Sequence, residues 1–249
     1  MGKILEVCVD SLDSARQAIA AGADRLELCS ALAVGGLTPY EALLRQIRRE
    51  SDIPVRCLMR HRAGDFLYPD HEKELIRMQI LSLKDAGADG FVIGFLTPEG
   101  DLDKKAMEPL VEACGGKGIT LHRCIDVSRD PLQTYLDAAS LGIDTVLTSG
   151  GAGSCSMGMN TIREMIALRD EKNGPEVLIG AGVNADVISV FRREIPGARA
   201  FHMSGKTEVE SGMKFRREGV PMGMPGLDEW HIGRTSGQAV RLAKSALYE

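Results

Sequence analysis

The chain has 249 residues, 44% of them hydrophobic and 26% charged, enough for one domain of about 250 residues with a sizeable core. A formal charge of -5 argues against a nucleic-acid or membrane-surface binder, and 4% aromatic residues argue against a base-stacking platform. No apolar run approaches the roughly 20 residues of a membrane span.

Met1-Gly2-Lys3 runs straight into the first strand and leaves no room for a signal peptide. A cytoplasmic location is therefore expected. The six cysteines (Cys8, Cys29, Cys57, Cys114, Cys124 and Cys155) lack CxxC spacing and are expected to be free thiols in a reducing cytosol.

The first strand is Leu5–Val9, where alternation sends Glu6, Cys8 and Asp10 to one face and Leu5, Val7 and Val9 to the other. Ser11–Ala21 follows as a helix, capped by Ser11 or Asp10. Ala21-Gly22-Ala23-Asp24 stops it, and Arg25–Cys29 is the second strand, with Glu27 and Cys29 on one face. The same stop recurs at Ala86-Gly87-Ala88-Asp89, Leu141-Gly142-Ile143-Asp144 and Pro196-Gly197-Ala198-Arg199, each ahead of a strand (Gly90–Gly94, Thr145–Thr148 and Ala200–His202). Glycine suits these stops because it tolerates the left-handed backbone that ends helices. The four glycines are 65, 55 and 55 residues apart, room for two strand–helix units per interval. The intervening strands are Pro54–Met59, Gly118–His122 and Glu176–Gly180. Helices are expected at Tyr40–Glu50, Asp70–Ala86, Lys104–Cys114, Asp130–Ser140, Met159–Asp170, Ala185–Glu194 and Ser236–Leu247.

Strictly alternating strands and helices imply a parallel sheet with right-handed crossovers, and eight units imply closure into a single-domain (β/α)8 TIM barrel over residues 1–249. A doubly wound open sheet is the runner-up. The segment 203–235 is rich in Gly, Met and charge and reads as an extended loop after strand eight, placed to cover the mouth or reach a partner subunit.

In such barrels chemistry sits at the C-terminal strand ends. Arg60 and Arg62, two residues apart, could grip an anion as a bidentate clamp or be consumed by Glu6, Glu27 or Asp10. Gly180-Ala181-Gly182-Val183-Asn184 opens a helix and could cradle a phosphate at Gly182, with Ser204 in the matching place after strand eight; the plainer reading is a tight turn capped by Asn184. Thr148 stands at the same rim. His122 could be a base or a metal ligand, or a satisfied core histidine, and His202 carries the same choice. Cys8 and Cys29 read from spacing alone as structural thiols, with a soft metal site as the alternative.

Together these residues resemble the CutC family of copper homeostasis proteins along almost the whole chain. The matching stretches are Glu6-Val7-Cys8-Val9-Asp10-Ser11, Gly22-Ala23-Asp24-Arg25-Leu26-Glu27-Leu28-Cys29-Ser30, Gly35-Gly36-Leu37-Thr38-Pro39, Gly64-Asp65-Phe66-Leu67-Tyr68, Asp130-Pro131-Leu132, Leu147-Thr148-Ser149-Gly150 and Ser211-Gly212-Met213-Lys214-Phe215. The resemblance implies a cytoplasmic homo-oligomer of (β/α)8 barrels that binds Cu(I), with Cys8 and Cys29 as the metal ligands. The chain departs from the family's pattern in reading Arg60-His61-Arg62-Ala63-Gly64 and His122-Arg123-Cys124-Ile125-Asp126.

Two expectations of different class follow. One is a copper-binding protein. The other is a barrel enzyme on a small anionic or phosphorylated substrate, with Arg60, Arg62, Thr148, Gly182 and Ser204 binding it and Glu27 or His122 as acid/base. A copper carrier needs an accessible site for handover, for which two thiols inside a barrel are poorly placed, and the arginines would repel a cation; both points favour the second.

Overall fold

Eight short alternating runs pair in parallel and close on themselves in the computed structural model, which describes residues 2–220, 222–223, 226 and 228–248. The strands are β1 (Ile4–Val9), β2 (Arg25–Leu28), β3 (Val55–Leu58), β4 (Gly90–Ile93), β5 (Gly118–Leu121), β6 (Thr145–Thr148), β7 (Glu176–Ile179) and β8 (Ala200–Met203). Their order round the barrel is their order in the chain, with β8 paired to β1. The open sheet is excluded.

The helices are α1 (Leu12–Ala20), α2 (Glu41–Glu50), α3 (Asp70–Asp85), α4 (Lys104–Cys114), α5 (Pro131–Ser140), α6 (Met159–Lys172), α7 (Ala185–Glu194) and α8 (Gly237–Tyr248). Ser11 caps α1 by accepting from Ser14 N, and Asp130 caps α5 at Leu132 and Gln133, as their residue types favour. None of the described helices is long and apolar enough to cross a membrane.

The alternation sorts each strand's side chains between two cores. Leu5, Val7, Leu26, Leu28, Phe91, Ile93, Val177, Ile179 and Phe201 face the helices in one large cluster. Inside the barrel, Leu147, Leu178 and Ala200 form one small cluster and Cys8, Cys29, Leu58 and Val92 another. The rest of the interior is polar. Arg56 crosses it, donating to Thr120 Oγ1 at 2.7 Å, Thr145 Oγ1 at 3.2 Å and Asp144 Oδ1 at 2.7 Å. Gly90 and Gly118 make room for that arm: a Cβ on either would stand 2.9 or 2.5 Å from the Arg56 side chain.

The segment after β8 differs from the extended loop expected for 203–235. It forms an antiparallel ribbon, β9 (Lys206–Glu210) with β10 (His231–Thr235), registered by Ile232 opposite Val209 and Arg234 opposite Thr207. Only Thr235 in the two strands is buried, so the ribbon stands away from the barrel. Thr235 N donates to Ser14 Oγ and Arg234 pairs with Asp13, which tie its base to the start of α1.

Candidate functional site

Strand register assembles the polar mouth. Across β1 and β2, Glu6 lies opposite Arg25 and Cys8 opposite Glu27; across β1 and β8, Glu6 lies opposite His202. Inward-facing residues at paired positions have little choice but to meet. Arg25 Nε donates to Glu6 Oε2 at 2.5 Å, and His202 Nδ1 lies 2.8 Å from Glu6 Oε1. The other ring nitrogen, Nε2, faces Glu27 Oε2 at 3.9 Å. Cys8, Glu27 and His202 each turn a ligand-capable atom inward, and the three atoms lie within 4.8 Å of one another. Cys29 Sγ donates to Glu27 Oε2 at 3.4 Å and packs with Cys8 under Leu58, Val92 and Leu32.

These groups set each other's charge. Burial opposes ionisation of Glu6, but Arg25 and the His202 hydrogen bond outweigh it and hold the carboxyl below its ordinary value. Burial pushes Glu27 up; His202 opposes this and the Glu6 charge adds to it. His202 is held well above its ordinary value, since Cys8, Glu27 and Glu6 overcome the burial penalty. Burial and the neighbouring Glu27 push the Cys29 thiol well up.

The adjoining stretch of the barrel, from β3 to β5, is built differently. Arg60 does not stand free as an anion clamp: its Nη1 donates to the carbonyls of Val34 and Gly36 at 3.0 and 3.1 Å, and its Nη2 to Gly64 O at 2.9 Å. Its plane lies over Phe66, 5.4 Å from the centroid. Arg62 pairs with Glu72 and Asp65, each at 3.0 Å, over the Tyr68 ring. Neither arginine pairs with Glu6, Glu27 or Asp10. The loop carbonyls and nearby carboxylates are closer partners than anything in the barrel. Beside Phe66, a cleft of about 440 Å³ opens among Leu96, Thr97 and Val127, away from the thiols.

His122 is buried against Phe66, with ring centroids 4.7 Å apart. Its Nδ1 accepts from Cys124 N at 3.2 Å, so Nε2 carries the proton, and it has no hydrogen-bond partner among the described residues. Burial and the nearby Arg60 charge lower it to about 3. A histidine neutral across the physiological range is poorly matched to the acid/base role expected of it. The unfolded chain takes this proton near 6.5 and the folded chain only near 3, so acid favours unfolding between those values. Between pH 7.5 and 5 the parent should lose about 2 kcal/mol more stability than His122→Gln, read by urea unfolding at both pH values. Equal losses would contradict a buried neutral ring.

The remaining expected binding residues are spread over the rim. Thr148 Oγ1 donates to Asp126 Oδ1 at 2.6 Å and accepts from Gly150 N, and Asp126 also accepts from Ser149 N and Gly151 N. Gly182 and Ala181 both take left-handed φ, at +84° and +71°, in the turn before α7, and Asn184 caps that helix through Val187 N. The plainer reading of the turn is therefore present in the structure. Ser204 is exposed and accepts from Lys206 N at 3.4 Å. Of the expected site residues, the structure brings Cys8, Cys29 and Glu27 together. Arg25, which fixes Glu6, escaped sequence reasoning, although alternation from Glu27 puts it on the inward face.

Fold and site together define a (β/α)8 barrel with a buried thiol–carboxylate–imidazole cluster at its mouth. The CutC family model matches residues 3–207. A CutC family protein of Vibrio campbellii is 38% identical over 250 residues, covering 99% of this chain and all of that one. A human copper homeostasis protein cutC homolog is 40% identical over 222 residues, covering 89% and 80% of the two chains. The crystal structure of a copper homeostasis protein CutC from Streptococcus agalactiae superposes with a TM-score of 0.75 at 26% identity, covering 81% of this chain and 98% of that one. The chain belongs to the CutC family. A 3-hexulose-6-phosphate synthase from Salmonella typhimurium, at 12% identity and a TM-score of 0.57, shares the fold alone.

Proposed function

We propose that this protein serves copper homeostasis by binding Cu(I) at the barrel mouth through Cys8 and Cys29. The observation that carries the reading is the packing of these two thiols, one on β1 and one directly after β2, in one buried cluster. Cu(I) is a soft ion and takes thiolate and imidazole donors. Cys8 is 7% exposed, the point at which an incoming ion meets sulfur first. Two of the cationic charges near the mouth are offset, Arg25 by Glu6 and Arg62 by Glu72 and Asp65, while Arg60 keeps its charge but is turned onto the carbonyls of Val34, Gly36 and Gly64. The same contacts leave the anionic-substrate reading without a clamp.

All six cysteines are free thiols, which suits a reducing cytoplasm. Met213, Phe215, Val220 and Met222, beside the exposed ribbon, supply apolar surface that a homo-oligomer would bury.

The test is an anaerobic Cu(I) titration against a chromophoric competitor. The parent should take up one tightly held equivalent. Cys8→Ser, shown folded by its thermal melt, should weaken it by more than the roughly 10–100-fold that loss of an outer-shell partner costs. Unchanged affinity in the Cys8→Ser/Cys29→Ser double variant would overturn the reading.

A further inference from the structure

The metal-ligating donors grouped within 4.8 Å of one another at the mouth are not the two thiols. They are one sulfur, one imidazole nitrogen and one carboxylate oxygen, contributed by Cys8, His202 and Glu27. A carboxylate adds little for a soft monovalent ion, whereas mixed S/N/O sets suit a borderline divalent ion of the zinc type. Three protein ligands with a fourth position left over is the pattern of open zinc sites.

We infer that the mouth holds a second, distinct metal specificity: a divalent zinc-class ion bound by Cys8 Sγ, His202 Nε2 and a Glu27 carboxylate oxygen. The inference reaches beyond the Cu(I) reading and does not depend on it, because it uses Cys8 but neither needs nor includes Cys29.

Three features of the structure support it. The ligands are pinned by strand register, Cys8 facing Glu27 across β1 and β2, and His202 docking on Glu6 across β8 and β1. Their spacing is close to what an ion requires. Metal bonds of about 2.0–2.3 Å in a tetrahedron put ligand atoms roughly 3.3–3.7 Å apart, and His202 Nε2 and Glu27 Oε2 already lie 3.9 Å apart. The imidazole is also oriented as a ligand would be. Its Nδ1 is taken by Glu6 at 2.8 Å, and Glu6 is in turn fixed by Arg25 at 2.5 Å. A carboxylate behind a histidine fixes the ring's tautomer and direction, leaving Nε2 for the metal. Cys29, by contrast, points its Sγ at the Glu27 carboxylate, 3.4 Å away, and acts there as a hydrogen-bonding neighbour.

The test uses Zn(II) calorimetry and the visible spectrum of Co(II) bound in its place, on the full chain. The parent should bind one equivalent of Zn(II), and bound Co(II) should show a sulfur charge-transfer band that Cys8→Ser removes. His202→Gln and Glu27→Gln, each confirmed as folded by its melt, should weaken Zn(II) about 100-fold. Glu6→Gln, which touches no metal, should weaken it about 10–100-fold. Cys29→Ser should leave Zn(II) affinity within about threefold of the parent, while the proposed Cu(I) site loses a thiol. That single variant separates the two sites. Absence of Zn(II) binding in the parent would overturn the inference, as would Zn(II) affinity that survives both His202→Gln and Glu27→Gln or collapses in Cys29→Ser.

Discussion

Replacing Arg25 by methionine should cost about 3–5 kcal/mol of folding stability, the range found when one partner of a buried ion pair is removed. Glu6 is fully buried, its Oε2 receives Arg25 Nε, and the remaining contact on Oε1 is the His202 ring. Without the guanidinium, a carboxylate would stay in the barrel with half its compensation gone. Adding Glu6→Gln to Arg25→Met should restore a large part of the loss, because the amide carries no charge to desolvate. Urea unfolding of the three proteins measures this. A loss below about 1 kcal/mol in Arg25→Met, or no recovery in the double variant, would show that the pair is not what holds Glu6 ionised.

Gly158→Ala should lower stability by about 3 kcal/mol or more, since overpacking against backbone costs at the upper end of its usual range. A Cβ at Gly158 would run into the Ser149 carbonyl oxygen and come within 2.8 Å of Gly150 Cα. No side-chain rotation relieves that overlap, so the loop after β6 must move. Asp126 holds the same loop through Ser149 N and Gly151 N, which resists the movement. For a chain of this size the melting temperature should fall by about 6–12 °C. An alanine variant that melts with the parent would mean that the two backbones do not approach so closely.

The barrel was legible because its signals are local. Period-two alternation marked the first two strands, and the recurring glycine stops marked where helices end and spaced out the other six. The same alternation put Glu6, Cys8, Glu27 and Cys29 on inward faces, and the structure brings them together. It could not say how far a long side chain reaches or which partner it takes. Arg56 spans the interior to Asp144, and Arg60 bends back to Val34, Gly36 and Gly64. Those choices depend on tertiary distances that no spacing in the chain encodes. His122 was visible as an inward histidine, but its burial against Phe66, and hence its neutrality, depends on how the loop after β3 folds over it. The ribbon was missed because its halves, Lys206–Glu210 and His231–Thr235, are 20 residues apart and lack the tight-turn signal that announces a hairpin. The alternation of Thr207 and Val209 with charged neighbours was the one hint available.

The claim that the mouth thiols hold copper is tested most directly by X-ray absorption at the copper edge on protein loaded anaerobically with one equivalent of Cu(I). Two sulfur scatterers at about 2.3 Å, the length of a metal–thiolate bond, are expected, with a fall in sulfur number when Cys8 or Cys29 is replaced by serine. Scattering from nitrogen and oxygen alone, or a spectrum that neither substitution changes, would contradict it.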